Sequence, residues 1–134
     1  MKSLTQEEIK TSFETLLQGQ YLFAVLLGSA ATPRFYHESD IDLAVYFKKT
    51  LSFEELSQFT SKLSDKFELN CDLINLNKID PIFARQVIET GRELSIIDPS
   101  FFNIWKAEQM SRYPDFKRSR KIIEDNLLNR KKYV

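Results

Sequence analysis

Two apolar runs flank a short polar loop, with a Gly-Ser pair leaving the first and an Asp-x-Asp entering the second. This arrangement constrains the chain more than any other stretch. Tyr21 to Leu27 is almost wholly apolar, as suits a strand buried on both faces. Gly28 follows, where a backbone can turn and approach a ligand closely, and Ser29 brings a hydroxyl and an amide for phosphate oxygens. In the second run, strand periodicity puts Asp40, Asp42 and Ala44 on one face and Ile41, Leu43 and Val45 on the other. Both acids therefore point the same way.

Residues two apart on a strand are separated by about 6.6 Å, so the two carboxylates can lean toward one cation. Without a cation they repel: at roughly 4 Å and an effective dielectric near 20, two like charges cost about 4 kcal/mol. A third acid, Asp72, sits in another apolar run, Cys71-Asp72-Leu73-Ile74-Asn75-Leu76, where a charge is expensive unless paired or metal-bound. Cys71 and His37 are the only residues of their kinds, so the ligand set is hard oxygen and favours Mg²⁺ over Zn²⁺. An isolated Asp-x-Asp is a weak signal. The specificity lies in the joint pattern of buried strand, Gly-Ser turn, loop and inward-facing acids.

Gly-Ser, ten residues, Asp-x-Asp and a later strand with a third Asp resemble the minimal nucleotidyltransferases of the polymerase-beta superfamily. Within that group the compact length and the spacing are similar to the MNT antitoxins of HEPN/MNT toxin–antitoxin pairs. The resemblance runs from Tyr21 to Gly91 and is most specific at Gly28, Ser29, Asp40 and Asp42. It implies an α/β (α+β) nucleotidyltransferase fold, a small mixed sheet flanked by helices with a C-terminal helical tail. It also implies Mg²⁺ on Asp40, Asp42 and Asp72, with ATP as substrate and its terminal phosphates seated by Gly28 and Ser29. Asp72 would either ligate a second metal or take the proton of the attacking hydroxyl. The implied function is that of a type VII-like antitoxin: AMP passes to a tyrosine of a cognate HEPN ribonuclease toxin, which it silences in a hetero-oligomer. The chain departs from the family pattern at Thr32 and Pro33. Proline removes an amide donor from the loop, which leaves Arg34 as the nearest fixed positive charge to the phosphate turn.

The remaining sequence bounds this reading. With 134 residues the chain fits one domain, expected as a core over 1–100 and a basic helical extension over 101–134. The amino end lacks the apolar core of a signal peptide, no run spans a membrane, and a single cysteine suits a reducing cytoplasm. Thr5 with Glu8 and Ser52 with Glu55 read as capping boxes. The first precedes Ile9, Phe13, Leu16 and Leu17 in a helix closing at Gly19; the second precedes Phe53, Leu56, Phe59, Leu63 and Phe67. Asp80-Pro81 opens a helix carrying Phe83, Val87 and Ile88 and stopped by Gly91, and Leu94 to Ile97 suits a short edge strand. Phe101, Phe102, Ile104, Trp105 and Met110 suggest a packed helix, and after Pro114 the stretch 115–128 suggests another.

The neutral total charge conceals an asymmetry. From Phe101 onward lie nine of the 19 basic residues but four of the 19 acids, a surplus of five positive charges balanced by five negative in the rest. Such a tail is either a solvated helix face or a docking surface for a partner protein. Nucleic acid ranks below these, because no aromatic stacking array accompanies the basic residues. Two rivals to AMP transfer stay open: an antitoxin that acts only by binding and occlusion, and a nucleotidyltransferase for small molecules, for which one small domain leaves little wall. His37 reads as an exposed loop residue, and Cys71 and Trp105 as core.

Overall fold

Side-chain caps start the helices where the sequence places them. In the computed structural model, which describes residues 4–28 and 40–112, Thr5 Oγ1 accepts the Glu8 amide at 3.2 Å and opens α1 (Gln6–Leu17) as a one-sided cap instead of the expected capping box, the Glu8 carboxylate accepting from the Thr5 hydroxyl. Ser52 and Glu55 form a reciprocal capping box, both bonds at 3.1 Å, opening α2 (Phe53–Phe67). Asp80 accepts the Phe83 amide at 2.9 Å and Pro81 takes the first position of α3 (Pro81–Thr90). Between them run β1 (Tyr21–Leu27), β2 (Ile41–Phe47), β3 (Cys71–Asn75) with a 3₁₀ turn at Leu76–Lys78, and β4 (Arg92–Ile96). A last helix, α4, covers 99–112. The stretch 115–128 and the loop residues Ser29, Thr32, Pro33, Arg34 and His37 lie outside the described residues.

The strands form one mixed sheet in the order β3-β2-β1-β4. β1 runs antiparallel to both β2 and β4, and β2 runs parallel to β3. A parallel pair needs a crossover, and α2 supplies it. The sheet is buried on both faces, so β1 reads as a continuous apolar run and not an alternating one. On one face Ile41, Leu43 and Val45 pack with Ile9, Phe13 and Leu17 of α1 and Leu63 and Phe67 of α2. On the other, Phe23, Val25, Leu27 and Ala44 pack with Ala84 and Val87 of α3 and Phe102 and Trp105 of α4. Tyr21, Ser95 and Glu14 tie β1, β4 and α1 together: the Tyr21 hydroxyl meets Ser95 Oγ at 2.6 Å, and Ser95 donates to Glu14 at 3.1 Å.

Three further expectations are corrected. Phe53 does not join the apolar face of α2 but is 84% exposed at its first turn. Ile104 is likewise not part of the packed stripe of α4: the buried positions are 102, 105 and 109, a spacing that turns Ile104 outward at 57% exposure. Asp40 precedes β2 instead of lying in it, and is exposed.

Candidate active site

Strand pairing assembles the site. β1 delivers Leu27 opposite Asp42 of β2, and Asp42 stands opposite Asp72 of β3. Neighbouring strands lie about 4.8 Å apart, so the chain brings two carboxylates from residues thirty positions apart into one row across the sheet. In-register residues of a parallel pair share a face, and for Asp42 it is the face of Ala44, the one covered by α3 and α4. Asp40 lies just before the start of β2, close enough for its charge to act on Asp42.

Gly28 directly follows β1, beside this row. Its φ is +66°, in the left-handed region that glycine adopts without steric cost. A Cβ there would also stand 3.3 Å from Oδ2 of Asp42, tight enough to push on the carboxylate. Glycine is therefore favoured by the backbone conformation, and any side chain there would also crowd the acid.

The electrostatics follow from this crowding. The Asp42 carboxyl is held above the ordinary carboxylate range, first by partial burial and then by the negative charges of Asp72 and Asp40. Cys71, adjacent to Asp72 and buried, has its thiol pushed up to about 12 by burial and then by the charges of Asp72 and Asp42. It is a core residue with no thiolate chemistry at neutral pH. Asp72 is itself exposed, so its own charge stays in water while it raises the energy of its neighbour's.

A hard divalent cation suits this donor set, because it would relieve the repulsion that raises Asp42. Among the described residues, no three of His, Cys, Asp or Glu already form a metal-holding group. Mg²⁺ typically takes one or two carboxylates and completes its shell with water and substrate phosphates. The residues present fit that mode better than a closed protein cage.

From Asp42 and Gly28 a cleft of about 310 Å³ extends along α3, lined by Leu27, Ile74, Phe83, Gln86, Val87 and Thr90. The sequence pattern marks Phe83 and Val87 as an apolar helix face but not Gln86 and Thr90 as part of a site. The signal was present: positions 83, 86, 87 and 90 fall on one helical stripe, and its polar members, Gln86 and Thr90, sit within the apolar series.

A family model described as polymerase beta, nucleotidyltransferase matches residues 7–100, a span that holds every strand of the sheet and all three acids. The chain belongs to that nucleotidyltransferase family. No curated protein matches it, whereas several solved structures do. A chain in the complex of tri-AMPylated Shewanella oneidensis HEPN toxin with MNT antitoxin is 21% identical, with a TM-score of 0.76 over 92% of this chain and 99% of that one. A chain of a toxin–antitoxin structure with AMP-PNP is 22% identical, TM-score 0.78, over 89% and 98%. A chain of the toxin–antitoxin MntA-HepT is 21% identical, TM-score 0.74, over 91% and 98%. At these identities the likeness is one of fold, and this nucleotidyltransferase matches those chains over nearly their full length. Among the described residues, no helix is long and apolar enough to cross a membrane.

Proposed function

We propose that this chain is an antitoxin that transfers AMP from ATP, with Mg²⁺, to a tyrosine hydroxyl of a cognate HEPN ribonuclease toxin and so silences it in the cytoplasm. The observation that carries the reading is the row formed by Leu27, Asp42 and Asp72 beside Gly28, within a chain of nucleotidyltransferase family. The solved complexes of the same fold, one with tri-AMPylated HEPN toxin and one with AMP-PNP, support the choice of donor and acceptor.

Asp40 and Asp42, with Asp72, are the residues that would hold Mg²⁺, which when bound neutralises charge on the triphosphate. Gly28 and Ser29 seat the terminal phosphates, and Arg34 is the nearest fixed cation in sequence; Ser29 and Arg34 take these roles from the sequence pattern. The acceptor oxygen attacks the α-phosphorus, the bond from that phosphorus to the α,β-bridging oxygen breaks, and pyrophosphate leaves. A tyrosine with a pKa of about 10 needs a proton acceptor at neutral pH, and Asp72, exposed and opposite Asp42, would either accept that proton or ligate a second metal. The segment 101–134, with its surplus of positive charge, serves as the docking extension of the same domain.

Incubation with ATP, Mg²⁺ and a cognate HEPN toxin should add AMP masses to the toxin in intact-mass spectrometry; no gain in mass overturns the reading. The basic surplus favours one other reading, neutralisation by occlusion alone. Asp40→Asn with Asp42→Asn separates them. The double variant should lower AMP addition by at least about 10²-fold and lose protection of cells, whereas full protection by that variant establishes occlusion.

A further inference from the structure

We infer that α3 selects the nucleobase, with Gln86 pairing to the adenine edge and Phe83 stacking on its face. The inference rests on reading the site as one for nucleotidyl transfer, and it concerns the end of the nucleotide away from the carboxylates. The cleft that leaves Asp42 is lined by Leu27, Ile74, Val87 and Phe83 with two neutral polar residues, Gln86 and Thr90. Asp42 is the sole charged residue in that lining, and no Lys or Arg is among the described residues that form it. Beyond Gly28 and Asp42 at its mouth, these walls offer phosphate no cation, whereas a flat heterocycle gains from them. At about 310 Å³ the space falls at the lower end of small-ligand sites, the size of a nucleoside and not of a peptide.

The polar groups differ in what they can still offer. Thr90 Oγ1 already donates to the Gln86 carbonyl at 2.7 Å. The Gln86 side chain is exposed at the rim, and its carboxamide carries both a donor and an acceptor. Adenine presents N7 as acceptor and N6 as donor on one edge, which a carboxamide matches with two bonds. Guanine presents two acceptors, N7 and O6, of which a carboxamide satisfies one. Phe83 is partly buried on the same wall, where its ring provides a sequence-tolerant stacking surface.

Titration calorimetry of the full chain with ATP and with GTP, each with Mg²⁺, tests the inference. Wild type should prefer ATP by about tenfold, Gln86→Ala should bring the ratio close to one, and Phe83→Leu should weaken both nucleotides alike. Gln86→Arg is the decisive variant. A guanidinium donates to both O6 and N7 of guanine, so the preference should turn toward GTP, a change that loss of structure cannot produce. An ATP:GTP ratio unchanged in Gln86→Ala and Gln86→Arg, with both nucleotides still bound, overturns the role of α3 and leaves the proposed function standing. Binding of neither nucleotide by wild type overturns both.

Discussion

The two faces of β2 divide the work of this protein. Ile41, Leu43 and Val45 point into a layer closed by α1 and α2, where each is fully buried among apolar neighbours. The alternate positions point to the side of α3 and α4, where Asp42 is partly exposed, Ala44 is small and Tyr46 is partly buried against Phe23 and Phe101. A single strand thus carries a hydrophobic core on one side and a carboxylate that opposes folding on the other. The site is tolerated because the opposite face over-determines the strand: register cannot slip by one residue without exchanging Asp42 for Leu43.

Substitutions on the two faces should therefore fail in different ways. Leu43→Ala, at a position with no exposed surface, should destabilise the fold by about 2–5 kcal/mol, read as a lowered urea midpoint with an unchanged m value. The fraction that remains folded should bind ATP as wild type does. Gly91→Ala, on the α3 side, should cost about 1–3 kcal/mol, because the new Cβ would meet the Val25 side chain and stand 2.5 Å from the Val87 carbonyl oxygen. Here nucleotide affinity should fall as well, since relief of the clash moves α3, which lines the cleft. Equal nucleotide binding by folded Leu43→Ala and Gly91→Ala would erase the distinction between the faces.

Much of this was legible in the sequence because it rests on local rules. Capping residues at Thr5, Ser52 and Asp80 act within one turn, and the alternation of Ile41 to Val45 is fixed by strand geometry. The pairing of Asp42 with Asp72 was legible only as a joint occurrence of acids in apolar runs; the register that makes them neighbours depends on the α2 crossover. Gly91 reads as a helix stop, yet its φ of −77° is open to any residue, and the requirement for glycine comes from the approach of β1, sixty-six positions earlier. Asn77 gave no signal at all, although its carboxamide donates to the Phe47 carbonyl at 2.9 Å and accepts the Phe47 amide at 2.8 Å, closing the end of β2. Such contacts join residues far apart in the chain, and no local pattern encodes them.

At Asp42 stability and function oppose each other within one residue. Burial, Asp72 and Asp40 raise the Asp42 pKa in the folded chain above its ordinary 3.8. The folded state therefore holds a proton more tightly than the unfolded one. Below the unfolded value the acid is neutral in both states and carries no penalty. As pH rises from that value through the folded pKa, stability is lost, and at pH 7 the full penalty is present. Asp42→Asn should remove it while abolishing transfer. Because the carboxylate is partly in water, solvent screening keeps the gain below about 1 kcal/mol, a rise in Tm of roughly 1–3 °C at pH 7 that vanishes below about pH 4. Mg²⁺ with ATP should raise the Tm of wild type and leave the variant unmoved. A variant less stable than wild type at pH 7 would mean that Asp42 is held by favourable contacts, and that the open face contributes to the fold as the closed one does.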